Sequence, residues 1–142
     1  MNARGFGAVF ARLNNIGEKV PDNARKTMHR AADRVVRNAK LMAPVDKHNL
    51  EESIKKEISY GFRGRLQINV TAGGFVNGVN VSNYVAEVHE NYSSFVPGPN
   101  TVAKQNANPQ VIVGEKFLER ALEQERTKLR QQMIRAVAEA LR

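Results

Sequence analysis

The feature that most constrains this chain is an apolar stripe near its end. Phe117, Leu118, Ala121, Leu122, Leu129, Met133, Ala136, Val137, Ala140 and Leu141 recur at the spacing of one face of an α-helix. A helix of that length gains most of its stability by burying its apolar face, so the rest of the chain has to supply a matching surface. A second stripe does so in part: Ala24, Met28, Ala31, Ala32, Val35, Val36, Ala39 and Met42. Its small residues would let a sheet or another helix approach closely. Pro21–Asp22 suits the first turn of this helix, and Pro44 ends it by pushing the preceding residue out of the helical region. Phe6, Val9, Phe10, Leu13 and Ile16 also repeat at steps of three and four, with Gly17 as a break. The spacing therefore predicts a short first helix and an N-terminal helix pair. The acid-free opening carries Arg4 and Arg12 and faintly resembles a targeting peptide, but Arg12 interrupts its apolar run, which favours a folded segment.

The middle of the chain changes period. "SIKKEISYGF" is strand-like in its later half, and "RLQINV" alternates Leu66, Ile68 and Val70 against Arg65, Gln67 and Asn69. Gly73 and Gly74 suggest a bulge or turn, and Asn77–Gly78 is a strong hairpin signal because both residues tolerate positive φ. "VNVSNYVAEVHE" reads as a third strand. From Asn91 to about Gln110 the chain is rich in Asn, Ser, Pro and Gly and has no period. Loops of such length are usually functional or mobile, and too little burial offsets the cost of ordering them. The short apolar piece "VIV" follows. The expected fold is α+β: an antiparallel sheet of three to four strands packed against the N-terminal helix pair and the long C-terminal helix. Residues 1–142 read as a single domain with an exposed loop at about 91–110.

Composition narrows the possible chemistry. The chain has no cysteine, which excludes disulfides, zinc–thiolate sites and cysteine nucleophiles and makes a reducing cytoplasm the natural setting for folding. No apolar run approaches the ~20 residues of a membrane-spanning helix. The net charge is +8, and residues 1–50 carry ten Lys and Arg against four acidic residues. Arg30, Arg34 and Arg37 form a basic stripe on the second helix, with Asp33 beside it. Such a stripe reads first as a solvated face, and then as a contact with acidic protein or with DNA phosphate.

His89–Glu90 is the most tempting catalytic pair. In an extended segment neighbouring side chains point to opposite faces and cannot act on one atom. His29 and His48 show no metal spacing with His89. "TAGGFVNG" lacks the Gly-Lys-Ser/Thr ending of a phosphate loop, and no serine or threonine sits in a nucleophile-elbow context. The expectation is no catalytic group, no metal and no cofactor. In the 91–110 loop, Tyr92 and Phe95 could stack bases, but Lys104 is its only cation. Tyr92, Phe95 and Val96, with His89 and Glu90 beside them, fit protein–protein contact better. Tyr84 and Val88, four apart along a strand, would share the core face, leaving His89 on the other.

Three segments together carry a family pattern. Ala43, Pro44, Val45, Asp46, Lys47, His48, Asn49, Leu50, Glu51, Glu52, Ser53 and Ile54 follow Ala-Pro-x-Asp-Thr-Gly-x-Leu-x-x-Ser-Ile, with Lys47–His48 in place of Thr-Gly. Tyr84, Val88, His89 and Glu90 match a Tyr-Ala-x-x-Val element, with Val85 departing and Asn91 where glycine is common. Lys116, Phe117, Leu118, Ala121 and Leu122 match a Lys-Phe-Leu-x-x-Ala-Leu opening to the last helix. From about Ala31 onward the chain resembles the tail-completion, or head–tail joining, proteins of long-tailed double-stranded-DNA bacteriophages. On these motifs Pro44, Asp46, Leu50, Tyr84, Val88, Phe117 and Leu118 are the structural residues. The resemblance implies a non-enzymatic virion protein at the neck, forming a homo-oligomeric ring, commonly a hexamer. Its partners would be the head connector or stopper protein and the tail tube or terminator, with genomic DNA passing through the channel without sequence specificity. A tail terminator capping the tube is the neighbouring alternative. From a different class comes a small basic nucleic-acid-binding protein, and an enzyme using His89 and Glu90 ranks last.

Overall fold

The computed structural model describes residues 3–4, 8–12, 22–45, 47–60 and 66–140. Helix α1 (Asp22–Met42) buries Ala24, Met28, Ala31, Ala32, Val35, Ala39 and Met42, the face its 3.6-residue period predicts. Helix α5 (Phe117–Ala140) runs along it and buries Phe117, Leu118, Ala121, Leu129 and Ala136. Ala31, Ala32 and Ala39 on α1 and Ala121 and Ala136 on α5 are fully or almost fully buried, and small residues on both helices permit their close approach where α1 and α5 pack together. The Asn23 side-chain amide donates to the Ala136 carbonyl at 3.0 Å and ties the start of α1 to the far end of α5. Leu141 lies outside the described residues.

Two strands fall where the alternation places them. β3 (Lys55–Tyr60) and β4 (Leu66–Ala72) pair antiparallel with Ile58 opposite Ile68. Leu66, Ile68, Val70 and Ala72 are buried, and the intervening residues form the polar outer face. α1 lies across β4. The N-terminal expectation fails at residues 8–12. Ala8–Arg12 is a strand, β2, and not part of a helix. It pairs antiparallel with β4, Val9 opposite Ala72 and Arg12 opposite Asn69, and also with the two-residue β1 (Ala3–Arg4). The sheet order is β1-β2-β4-β3. The described N-terminal region thus holds one helix, α1, and no helix pair. Phe6, Leu13, Ile16 and Gly17 lie outside the described residues. A stripe at 6, 9, 10 and 13 cannot by itself exclude a five-residue strand that contains two of those positions. The free edge of β4 decides the matter through a pairing some sixty residues away in sequence, which no local window contains.

The expected third strand also fails. Only Val79–Asn80 (β6) is extended, and it pairs with Phe75–Val76 (β5) in a separate small hairpin. The hairpin turn is the predicted one, with Asn77 at φ 51° and Gly78 at φ 78°, both positive as a type I′ turn requires. The Asn80 side chain then accepts from the Ser82 amide at 3.1 Å, an Asx turn that breaks the strand. A short 3₁₀ turn (Val81–Asn83) and helix α3 (Val85–Asn91) follow. Of the strands expected from the sequence, only two join the sheet, and the N-terminal segment supplies the rest.

The stretch from 91 to 110 is not an aperiodic loop. It contains a 3₁₀ turn (Tyr92–Ser94) and helix α4 (Pro99–Ala107). Pro99 occupies the first turn, where a missing N–H costs nothing. Thr101 is the buried residue of α4, so this helix has no apolar stripe to announce it. Helix α2 (Asn49–Ser53) completes the set.

Candidate functional site

The first two family segments, together with the start of α4, meet in one groove of about 540 Å³. It is lined mainly by apolar groups: Pro44, Val45, Leu50, Val79, Tyr84, Val88, Tyr92, Phe95, Val96 and Pro99. Pro44 sets its floor by ending α1 one residue after the Ala43 amide bonds back to Ala39 at 2.9 Å. Tyr84 and Val88 do share a face, because they are one helical turn apart at the start of α3 and not because they alternate along a strand. Val96 is 93% exposed and Phe95 43% exposed at the rim, while Tyr92 is half-buried with its ring 5.9 Å from that of Phe95. The groove thus offers an open apolar surface whose lip carries aromatic and aliphatic side chains.

α4 is held over this groove by polar contacts. The Val45 amide donates to Thr101 Oγ1 at 3.0 Å, and that hydroxyl donates to the Val45 carbonyl at 2.8 Å. Lys104 Nζ donates to the carbonyls of Lys40 at 2.5 Å and Ala43 at 2.6 Å and pairs with Glu51 at 2.6 Å. A cation on the last carbonyls of α1 satisfies acceptors the helix cannot and sits at the negative end of its dipole. Burial lowers the Lys104 pKa, and the Glu51 carboxylate acts in the opposite direction. Sequence reasoning missed both Thr101 and Lys104. The one available signal was a single cation in an otherwise uncharged stretch.

His89 belongs to a different place. It is 0% exposed on the buried face of α3 with Val85, and its ring meets Phe117 edge-on at 4.9 Å. Nδ1 lies 2.9 Å from Glu90 Oε1, and Glu90 also pairs with Lys116. The Lys116 hydrogen bond is the main cause that holds the Glu90 carboxyl below its usual range, and Glu90 in turn raises Lys116. An ionised Glu90 can only accept, so the network assigns the imidazole proton to Nδ1. Nε2 then has no partner among the described residues. Burial is the largest influence on His89 and lowers its pKa, partly opposed by Glu90. His89 is therefore a neutral core residue joining α3 to α5, reinforced by the Lys116 amide donating to the His89 carbonyl at 2.6 Å. This corrects its expected place on the contact surface: a buried ring cannot be presented to a partner, and it lines neither groove described here. Glu90 is half-buried and committed to Lys116. No cluster of three His, Cys, Asp or Glu able to hold a metal occurs among the described residues.

The basic stripe divides. Arg30 and Arg37 are exposed, but Arg34 is half-buried and donates to Glu125 at 2.9 Å and to Gln132 at 3.1 Å. Glu125, on the apolar face of α5, is the partner that sequence reasoning overlooked. The family-motif residues Leu50, Phe117 and Leu118 are core, and Asp46 lies outside the described residues. His48 stands where the motif has glycine and itself takes the left-handed conformation, φ 64° and ψ 1°. Asn91 does not, at φ −127°, so the glycine common there is not replaced by an equivalent left-handed residue.

The sequence pattern of the family described as "Bacteriophage HK97-gp10, putative tail-component" matches residues 8–96. No curated protein and no solved structure matches the chain.

Proposed function

The chain belongs to this family of phage tail components, and from that premise we propose that it is a non-enzymatic virion protein that assembles as a ring at the head–tail junction. The observation that carries the reading is the open apolar groove, walled by the family-motif residues Pro44, Leu50, Tyr84 and Val88 and rimmed by Tyr92, Phe95 and Val96. A ring requires heterologous contacts, in which one surface of each subunit meets a different surface of the next. A groove with an exposed apolar lip supplies one such half, and aromatic residues there are of the type that dominates interface energy. In this reading the copy number is six, the neighbours are the head connector or stopper and the tail tube, and the location is the neck of the virion. A tail terminator would use the same ring geometry with only the tail tube below it.

Assembly measured by light scattering and electron microscopy tests the reading. Tyr92→Ala, Phe95→Ala and Val96→Ala combined should abolish ring formation while leaving the circular-dichroism spectrum unchanged. Arg30→Gln with Arg37→Gln should leave it intact, since exposed charges contribute little at physiological salt. Rings formed by the groove variant and lost in the arginine variant would place the interface on the other surface. Binding of the purified ring to head connector as well as to tail tube separates the joining role from the terminator role.

A further inference from the structure

The strongest feature outside the groove is a line of cations along the exposed edge of α1. Every exposed residue of α1 is charged: Asp22, Lys26, Arg30, Asp33, Arg37 and Lys40. The last five follow the helical repeat and so lie along one edge. Asp33, the one acid in that line, is neutralised by Lys56 at 2.8 Å. Lys26, Arg30, Arg37 and Lys40 have no side-chain partner among the described residues. The fourteen helical steps from Lys26 to Lys40, at 1.5 Å each, give the line a length of about 21 Å. At its start it borders a cleft of about 320 Å³ between α1 and α5, where Arg135 joins Lys26 and Arg30. Arg34 is fixed in the same cleft by Glu125 and Gln132, and Glu139 is the only carboxylate in the lining.

We infer that this edge of α1, with Arg135 beyond the cleft, is a binding face for the phosphate backbone of double-stranded DNA, without sequence specificity. Backbone binding needs aligned, unpaired cations and little else. A length of about 21 Å matches the axial extent of about six base pairs at 3.4 Å per phosphate on one strand. A protein partner of acidic surface fits less well, because protein interfaces are built around an apolar or aromatic centre, and no apolar side chain is exposed anywhere along α1. The inference rests on these charges and does not depend on the ring.

Fluorescence anisotropy of the full chain with a labelled 24-base-pair duplex of arbitrary sequence tests it, repeated between 50 and 200 mM salt. Five phosphate contacts give a slope of log affinity against log salt of about −4.5, or a loss of about 500-fold over that range. Lys26→Gln, Arg30→Gln and Arg37→Gln together should flatten the slope by about 2.7. Lys47→Gln, Lys55→Gln and Lys128→Gln remove the same charge from exposed sites elsewhere and should leave the slope as it was. A wild-type slope shallower than about −2, or equal flattening by the two triple variants, would overturn the assignment. So would binding of labelled poly-glutamate that depends on Lys26, Arg30 and Arg37 while the duplex does not bind, since the face would then be meant for protein.

Discussion

His48 offers a sharp test of how this chain makes a turn that its family pattern assigns to glycine. The residue sits at the N-cap of α2 with φ 64°, a region that costs an L-residue roughly 1–2 kcal/mol. Histidine is among the side chains that tolerate it best, which places its cost at the lower end. His48→Gly removes that cost, adds about 0.5–1 kcal/mol of unfolded-state entropy, and gives up an exposed 3.4 Å contact with Glu51. Glu51 keeps Lys104 as a partner, so no buried charge is stranded. The balance is a stabilisation of up to about 0.5 kcal/mol. His48→Ala keeps the strained backbone and loses the contact, so it should fall below glycine by about 1 kcal/mol. For a chain of this size that gap corresponds to about 3–4 °C in Tm, readable by calorimetry and by urea unfolding. An alanine variant as stable as the glycine variant, or more so, would refute a left-handed His48.

Two further outcomes follow from the polar contacts. The folded chain holds His89 neutral, with its pKa lowered from 6.5 by burial. The unfolded chain therefore binds more protons as pH falls through 6.5, and stability should drop by up to about 1.4 kcal/mol per pH unit below that point. His89→Leu should remove that share of the slope in urea unfolding between pH 6.5 and 5.5, and an identical slope in both proteins would contradict it. Lys104→Met should leave the ends of α1 and α4 without their shared cation, at a cost of about 1.5–3 kcal/mol for hydrogen bonds to a charged group. Hydrogen exchange at residues 101–107 should accelerate in that variant, and unchanged protection there would show that Thr101 alone suffices.

What could be read from the sequence was what depends on local period. The buried face of α1, the alternation of β4 and the Asn77–Gly78 turn each follow from neighbours within a few residues. α4 was invisible because Thr101 and Lys104, rather than an apolar stripe, hold it down. The 79–90 segment misled because its valines favour strands on propensity, while Val81, Val85 and His89 also lie at helical steps and are all buried. Ala8–Arg12 is a strand only because β4 offers an edge. For the site, the aromatic residues at 92 and 95 were visible from composition. Their convergence with Pro44 and Leu50 needed the turn after α1, and the loss of Arg34 from the exposed stripe needed knowledge of Glu125.

Two departures from the family pattern, Val85 and Asn91, each have a clear setting in this fold. Val85 replaces the alanine of the second element and is fully buried, adding volume to the core beside α3. The Asn91 position needs no left-handed residue because α3 runs directly into the 3₁₀ turn at Tyr92. A left-handed residue does occur at Lys116, φ 58°, immediately before α5. Lys116 is also the residue whose side chain holds Glu90 and whose amide meets the His89 carbonyl. The end of α3 and the start of α5 are thus fixed to each other, and Tyr92 and Phe95, which follow α3 directly, inherit that position. His89–Glu90 acts on the groove through this connection: it sets where the aromatic lip stands, and its own chemistry stays inside the fold.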